Sequence, residues 1–385
     1  VNERLAAGVA ATEKSLGEAG QYLKEAKDKA TVLGGYAMKG MKTKKQATWN
    51  TRFWLLMIDI RTLALTIEHD LSTLRSLTDA AGKPVGWAVA GDMQSKEVTA
   101  GGIRCVWVWP KEVEDPLLVP GKLLYVHGGA FCLGSPETHK QLAQQLSRRS
   151  KAAVLLPDYR RCPESTVGDA LADCVAVYQW LVTSIAEAKQ SGDAGLRAKE
   201  AAKEVVVGGE SAGANLALGL ALKVRAGIVA DVASSKVNLS MPGGLMLLSP
   251  WTDLKDSIEQ RNNSWTENEE LDFVLPELAE LFSRWVLWAQ KTGGLEGFAT
   301  DKAANAQAEA LSKEELLSLA SSQEVSPARA TSLAGLPRTL VTIGAGETLR
   351  DSQLELVERL RQEKCQVESE VFPDMPHAFV LAHFM

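Results

Sequence analysis

From Lys122 onward, short apolar runs alternate with helical stretches, and no feature of this sequence constrains its folding more. KLLYV, AAVLL, EVVV, GGLMLLS, RTLVTIG and CQVESEVF read as strands. HKQLAQQLSRRS, ALADCVAVYQWLVTSI, AGANLALGLALKVRAG and SQLELVERLRQEK read as helices between them. A run apolar at nearly every position is a strand buried on both faces, and a helix between successive strands lets them pair in parallel. The expectation is an α/β fold with a mostly parallel sheet flanked by helices.

Ahead of this region, GWAVAG and GGIRCVWVWP carry strand-like alternation and are expected to be antiparallel edge strands. Two segments do not fit the alternation. The first is residues 1–70, helical in pattern and bulky around Trp49, Phe53 and Trp54; the second is residues 254–325, too long for a connection in such a fold. Within the second, LDFVLPELAELFSRWVLWAQ has the spacing of an amphipathic helix. The expected organisation is a helical extension and cap part (1–70), a first core part (71–253), a helical insertion completing the cap (254–325) and a second core part (326–385).

Composition excludes several functions. The 385 residues carry a formal net charge of −6 and no strong Lys/Arg cluster, which argues against a nucleic-acid surface. The apolar stretch from Phe53 to Ile67 is broken by Asp59 and Arg61, so no transmembrane segment is expected. Residues 1–49 hold nine Lys or Arg against five Asp or Glu, which leaves room for contact with an anionic membrane. Five widely spaced cysteines without a CxxC fit neither a disulfide framework nor a metal site. They favour a reducing, cytoplasmic compartment, with secretion or peripheral membrane attachment left open.

Two glycine-rich motifs carry the chemistry. VHGGAFCLGS, residues 126–135, has neither a Walker A lysine nor the GxGxxG of a dinucleotide turn, so it is not a phosphate loop. Gly209-Glu210-Ser211-Ala212-Gly213 fits GxSxG between a strand and a helix, the turn that exposes a nucleophilic serine. Such a serine needs a base and an orienting carboxylate. His377 in DMPHAF follows the last strand, and Glu347 and Asp351 in GAGETLRD follow the one before it. The order nucleophile, acid, histidine is that of an α/β-hydrolase.

Taken together, VHGGAFCLGS, DYRRCPE, GESAGANLA, SPWTD, SPARA and PHAF resemble the hormone-sensitive-lipase-like family of α/β-hydrolases, from about Gly121 to the C-terminus. The resemblance implies a carboxylesterase with Ser211 as nucleophile, His377 as base and Glu347 as acid. The family usually has Asp at the position of Glu347, and Asp351 aligns with a second acidic position. It also implies an oxyanion hole from the amides of Gly128, Gly129 and Ala212, with His127 bracing their loop. Asp158 and Arg160 are expected to pair and hold that loop, and Glu210 to belong to the supporting network. The resulting reading is a serine carboxylic-ester hydrolase for short to medium or hydrophobic esters, without cofactor or metal. Its alternatives are a deacetylase, lactonase or amidase on a larger hydrophobic molecule, or a non-catalytic binding module. A small-molecule ester is the expected partner, and a homodimer is possible.

Overall fold

The computed structural model describes residues 71–86, 91–188, 194–227 and 239–382, together with Met57 and Ile60. Most of the N-terminal extension, including Trp49, Phe53 and Trp54, lies outside the described residues. Eight strands form one sheet: β1 (Met93–Ala100), β2 (Ile103–Pro110), β3 (Gly121–Val126), β4 (Ala152–Pro157), β5 (Val205–Glu210), β6 (Gly244–Leu248), β7 (Thr339–Gly344) and β8 (Val367–Phe372). Their order is β1-β2-β4-β3-β5-β6-β7-β8. The pairs β1–β2 and β2–β4 are antiparallel, and every pair from β4–β3 to β7–β8 is parallel.

Successive residues of the central strands enter opposite cores, as the pleat requires. Leu124 and Val126 of β3 join one buried cluster, while Leu123 and Tyr125 join another. Helices cover both faces: α1 (Leu71–Gly86), α2 (Pro136–Ser150), α3 (Val167–Ala188), α4 (Ala194–Lys203) and α5 (Ala212–Arg225) precede the insertion. Helix α2 starts where its sequence says it should. Ser135 and Thr138 form a capping box and Pro136 supplies a fixed φ at the first position. At the sheet's edge the expectation shifts: the strand lies over Met93–Ala100, after GWAVAG, whose Gly86 closes α1.

Between β6 and β7 the insertion forms α6 (Leu254–Glu259), α7 (Ser264–Glu267), α8 (Pro276–Thr292), α9 (Lys302–Glu309) and α10 (Lys313–Ala320). Its two ends are clasped together by SPWTD and SPARA. Arg329 Nε lies 2.6 Å from Asp253 Oδ1, Ala328 N–H donates to Thr252 O, and Asn215 Nδ2 donates to both Trp251 O and Val325 O. Helix α11 (Arg350–Gln362) then joins β7 to β8.

Candidate active site

The GxSxG turn is built by close approach. A Cβ on Gly209 would stand 2.2 Å from Val126 O, and one on Gly213 would stand 2.0 Å from the same oxygen, so neither position admits a side chain. Between them Ser211 takes φ 54° and ψ −121°, a conformation that a non-glycine residue adopts only when its surroundings enforce it. Ser211 N–H donates to Leu248 O, and Ser211 O accepts from Ala214, Asn215 and Trp251. Those bonds fix the turn at the carboxyl end of β5, where the strand passes into α5.

Ser211 Oγ lies 2.8 Å from His377 Nε2, and His377 Nδ1 lies 2.9 Å from Glu347 Oε2. A carboxylate only accepts, so Nδ1 carries the hydrogen and Nε2 presents its lone pair to the serine hydroxyl. All three side chains are buried, Ser211 to 7% exposure. Burial disfavours a charged ring, but the bond to Glu347 and the charges of Glu347, Asp272 and Glu210 outweigh it, holding His377 above its ordinary pKa.

Glu347 occupies a socket shaped for the longer acid. Oε1 accepts from Ser249 Oγ at 2.7 Å and Gly344 N at 2.6 Å, and Oε2 accepts from Gln353 Nε2 at 2.7 Å as well as from His377. A Cβ on Gly344 would stand 2.9 Å from Glu347 Cγ and 2.2 Å from Met375 O. Asp351 is directed elsewhere: Oδ2 accepts from Ser264 N and Oδ1 from Arg350 Nε. Of the two carboxylates, the histidine meets Glu347.

The VHGGAFCLGS loop departs from expectation at one position. Gly128 N–H donates to Glu210 Oε1, so this amide is committed to a carboxylate and does not face a substrate oxygen. No described residue accepts from the amides of Gly129, Ala130 or Ala212. Ala130, which the sequence reading passed over, thus replaces Gly128 among the free donors. Gly129 has φ +110°, and a Cβ there would stand 2.4 Å from Leu133 O, so glycine is required. His127 braces the loop: its Nδ1 lies 2.8 Å from Gly128 O, its carbonyl accepts from Tyr159 Oη, and its ring stacks 4.3 Å from that of Tyr159. Burial, aided by the nearby His139, holds its pKa well below the ordinary value, which keeps it neutral.

Glu210 is the hub beneath this loop. Besides Gly128 N–H it accepts from Tyr125 Oη, and His139 Nε2 lies 2.7 Å from its Oε1. Neither Tyr125 nor His139 announces this in the sequence; they read as a strand and a helix residue. The expected pairing of Asp158 with Arg160 does not form. Asp158 Oδ2 accepts from Arg104 Nη1 at 3.0 Å, whereas Arg160 binds Asp173 and Asp169 on α3. β2 runs antiparallel beside β4 and delivers Arg104 to Asp158 first, which sequence neighbours could not reveal. The guanidinium that does reach the loop belongs to Arg161, donating to Gly134 O at 2.8 Å, and Arg75 of α1 donates to Cys132 O at 2.9 Å.

Trp265 is core, its Nε1 donating to Asp256 Oδ2. Phe273 is half-buried and meets the His377 ring edge-on at 6.0 Å, in an apolar group with Met57, Met375 and Ala382. Among the described residues, no group of His, Cys, Asp or Glu is arranged to hold a metal ion, and no helix is long and apolar enough to cross a membrane.

A serine on a strained strand-to-helix turn, hydrogen-bonded through histidine to a carboxylate at the end of a mostly parallel sheet, defines a serine hydrolase of the α/β-hydrolase type. The alpha/beta hydrolase fold family profile matches residues 123–381, and the chain belongs to that family, in its hormone-sensitive-lipase-like branch. It is 27% identical over 286 residues to an acetyl-hydrolase of Streptomyces hygroscopicus, covering 74% of this chain and 75% of that protein. It is 28% identical to an esterase of Acinetobacter venetianus, covering 74% and 76%. Among solved structures it is similar to a hormone-sensitive lipase from a metagenome library, at 25% identity and TM-score 0.66, covering 88% of this chain and 93% of that one.

Proposed function

We propose that this chain hydrolyses short to medium or hydrophobic carboxylic esters through an acyl-enzyme on Ser211. The observation that carries the reading is the continuous hydrogen-bonded relay from Ser211 Oγ through His377 to Glu347, at 2.8 and 2.9 Å. His377 Nε2 takes the hydroxyl proton as Oγ attacks the ester carbonyl, and the carbonyl oxygen becomes an oxyanion. The free amides of Gly129, Ala130 and Ala212 are the donors for that charge, worth more as the transition state forms than in the ground state. His377 then protonates the leaving alcohol. Water, deprotonated by the same nitrogen, cleaves the acyl-enzyme and the acid departs.

Phe273 beside the histidine, with Met375 and Met57 packed in the same apolar group, favours an apolar acyl or alcohol part. The relatives named acetyl-hydrolase and esterase support an ester or acetyl substrate. A panel of p-nitrophenyl esters of increasing acyl length, run with Ser211→Ala, tests the reading. Turnover that disappears with the serine is expected; no serine-dependent turnover on any ester would favour a binding module instead.

A second copy of this chain, in a homodimer, is the other partner we propose. Light scattering in solution tests it. Free thiols at all five cysteines support a reducing compartment for the protein.

A further inference from the structure

Asp272 is a buried carboxylate that the triad does not include, and it comes from the insertion. The sequence pattern runs a helix from Leu271, but Pro276 begins α8 and Leu275 before it is extended, so Leu271–Leu275 is a connecting segment. That segment carries Asp272 inward. Its Oδ1 accepts from the backbone N–H of His377 at 2.9 Å and from that of Phe273 at 2.8 Å. Its Oδ2 accepts from the backbone N–H of Thr348 at 2.8 Å, with Thr348 Oγ1 at 3.1 Å.

The two oxygens therefore span the base and the residue next to the acid. Glu347 and His377 sit on loops after different strands, β7 and β8, and their side chains must meet at 2.9 Å. Asn268 and Ser264 of the insertion bond the acid's loop alone: Asn268 Nδ2 donates to Ala345 O and Glu347 O, and Ser264 Oγ donates to Thr348 O. Among the described residues, Asp272 is the insertion side chain that bonds the backbone of His377 as well. Backbone amides can only donate, so this position calls for a carboxylate with both oxygens accepting.

We propose that Asp272 is a positioning residue that fixes the histidine loop against the acid loop and holds a second carboxylate against His377. The inference rests on the serine-hydrolase reading above. The negative charges of Glu347, Asp272 and Glu210 all act on His377, and each favours the imidazolium that forms as Ser211 attacks. Burial holds the pKa of Asp272 above its ordinary value; the neighbouring His377 charge opposes that rise and the Glu347 charge adds to it. The insertion thus helps to position the catalytic base.

Asp272→Asn tests this, since an amide presents one acceptor and one donor where three backbone amides need two acceptors. The kcat for p-nitrophenyl acetate is expected to fall about 10- to 100-fold, the scale of a small misplacement of a catalytic group, with KM changing less than about 3-fold. The acidic limb of the kcat/KM profile should move to lower pH, because removing an anion destabilises the protonated ring. A limb that stays at the wild-type position, or an unchanged kcat, overturns the proposal. Asp272→Glu keeps the charge and should lower kcat while leaving the limb in place. Should Asp272→Asn not fold, a shifted limb in Asp272→Glu overturns it alone. Failure of the hydrolase reading is visible separately, as absence of Ser211-dependent turnover in the unsubstituted protein.

Discussion

Shortening the catalytic acid by one methylene, Glu347→Asp, should cripple the enzyme even though aspartate is the family's usual residue here. The Glu347 carboxylate is held by four donors at 2.6 to 2.9 Å, three of them fixed by Ser249, Gly344 and Gln353. An aspartate on the same backbone draws its carboxylate back by about one C–C bond, roughly 1.5 Å. The 2.9 Å contact with His377 then opens beyond hydrogen-bond reach, unless the loop moves and gives up its other three donors. A displacement near 1 Å costs about 10²-fold, and disabling the acid outright costs about 10⁴-fold in the best-studied triad. We therefore expect kcat/KM to fall about 10²- to 10³-fold, about 2.7 to 4 kcal/mol of transition-state stabilisation. Initial rates with p-nitrophenyl acetate or butyrate measure it, with urea denaturation as a check on folding. A Glu347→Asp variant within about 3-fold of wild type would refute the idea of a socket built for the longer side chain.

Other predictions address the loop and the base. Gly129→Val places a side chain where Leu133 O stands 2.4 Å away and φ is +110°, so the loop must shift. A drop in kcat of about 10²-fold or more with a much smaller change in KM is expected for a lost oxyanion donor; parallel small changes would remove the loop from the mechanism. His377 must be neutral to accept the serine proton, and its pKa is raised. Activity should therefore be lost as pH falls through a midpoint above the ordinary histidine value of 6.5. A kcat/KM profile with its acidic limb well below that value contradicts the assigned environment. By linkage, His377 contributes stability that is full at acidic pH and fades as pH rises through the same raised pKa.

What was legible in the sequence followed from local pattern. The strands of the parallel sheet announce themselves as apolar runs, and the nucleophile turn is written in five consecutive residues whose glycines the Val126 carbonyl enforces. Side chains delivered across the sheet left no such trace. Arg104 reaches Asp158 because β2 lies beside β4, and Tyr125 and His139 converge on Glu210 from separate elements. Gly128 was misplaced for the same reason, since its amide partner lies 82 positions along the chain. Asp272 hid inside an apparent helix whose first turn Pro276 moves downstream.

Trapping the covalent intermediate tests the central claim most directly. Rapid mixing with excess p-nitrophenyl acetate, followed by acid quench and peptide mass spectrometry, should show one acetyl group per chain on Ser211, the residue hydrogen-bonded to His377 at 2.8 Å. The burst of p-nitrophenol should match it in amount, and Ser211→Ala should show neither. An acetyl group on another residue, or turnover that persists in Ser211→Ala, would contradict the account.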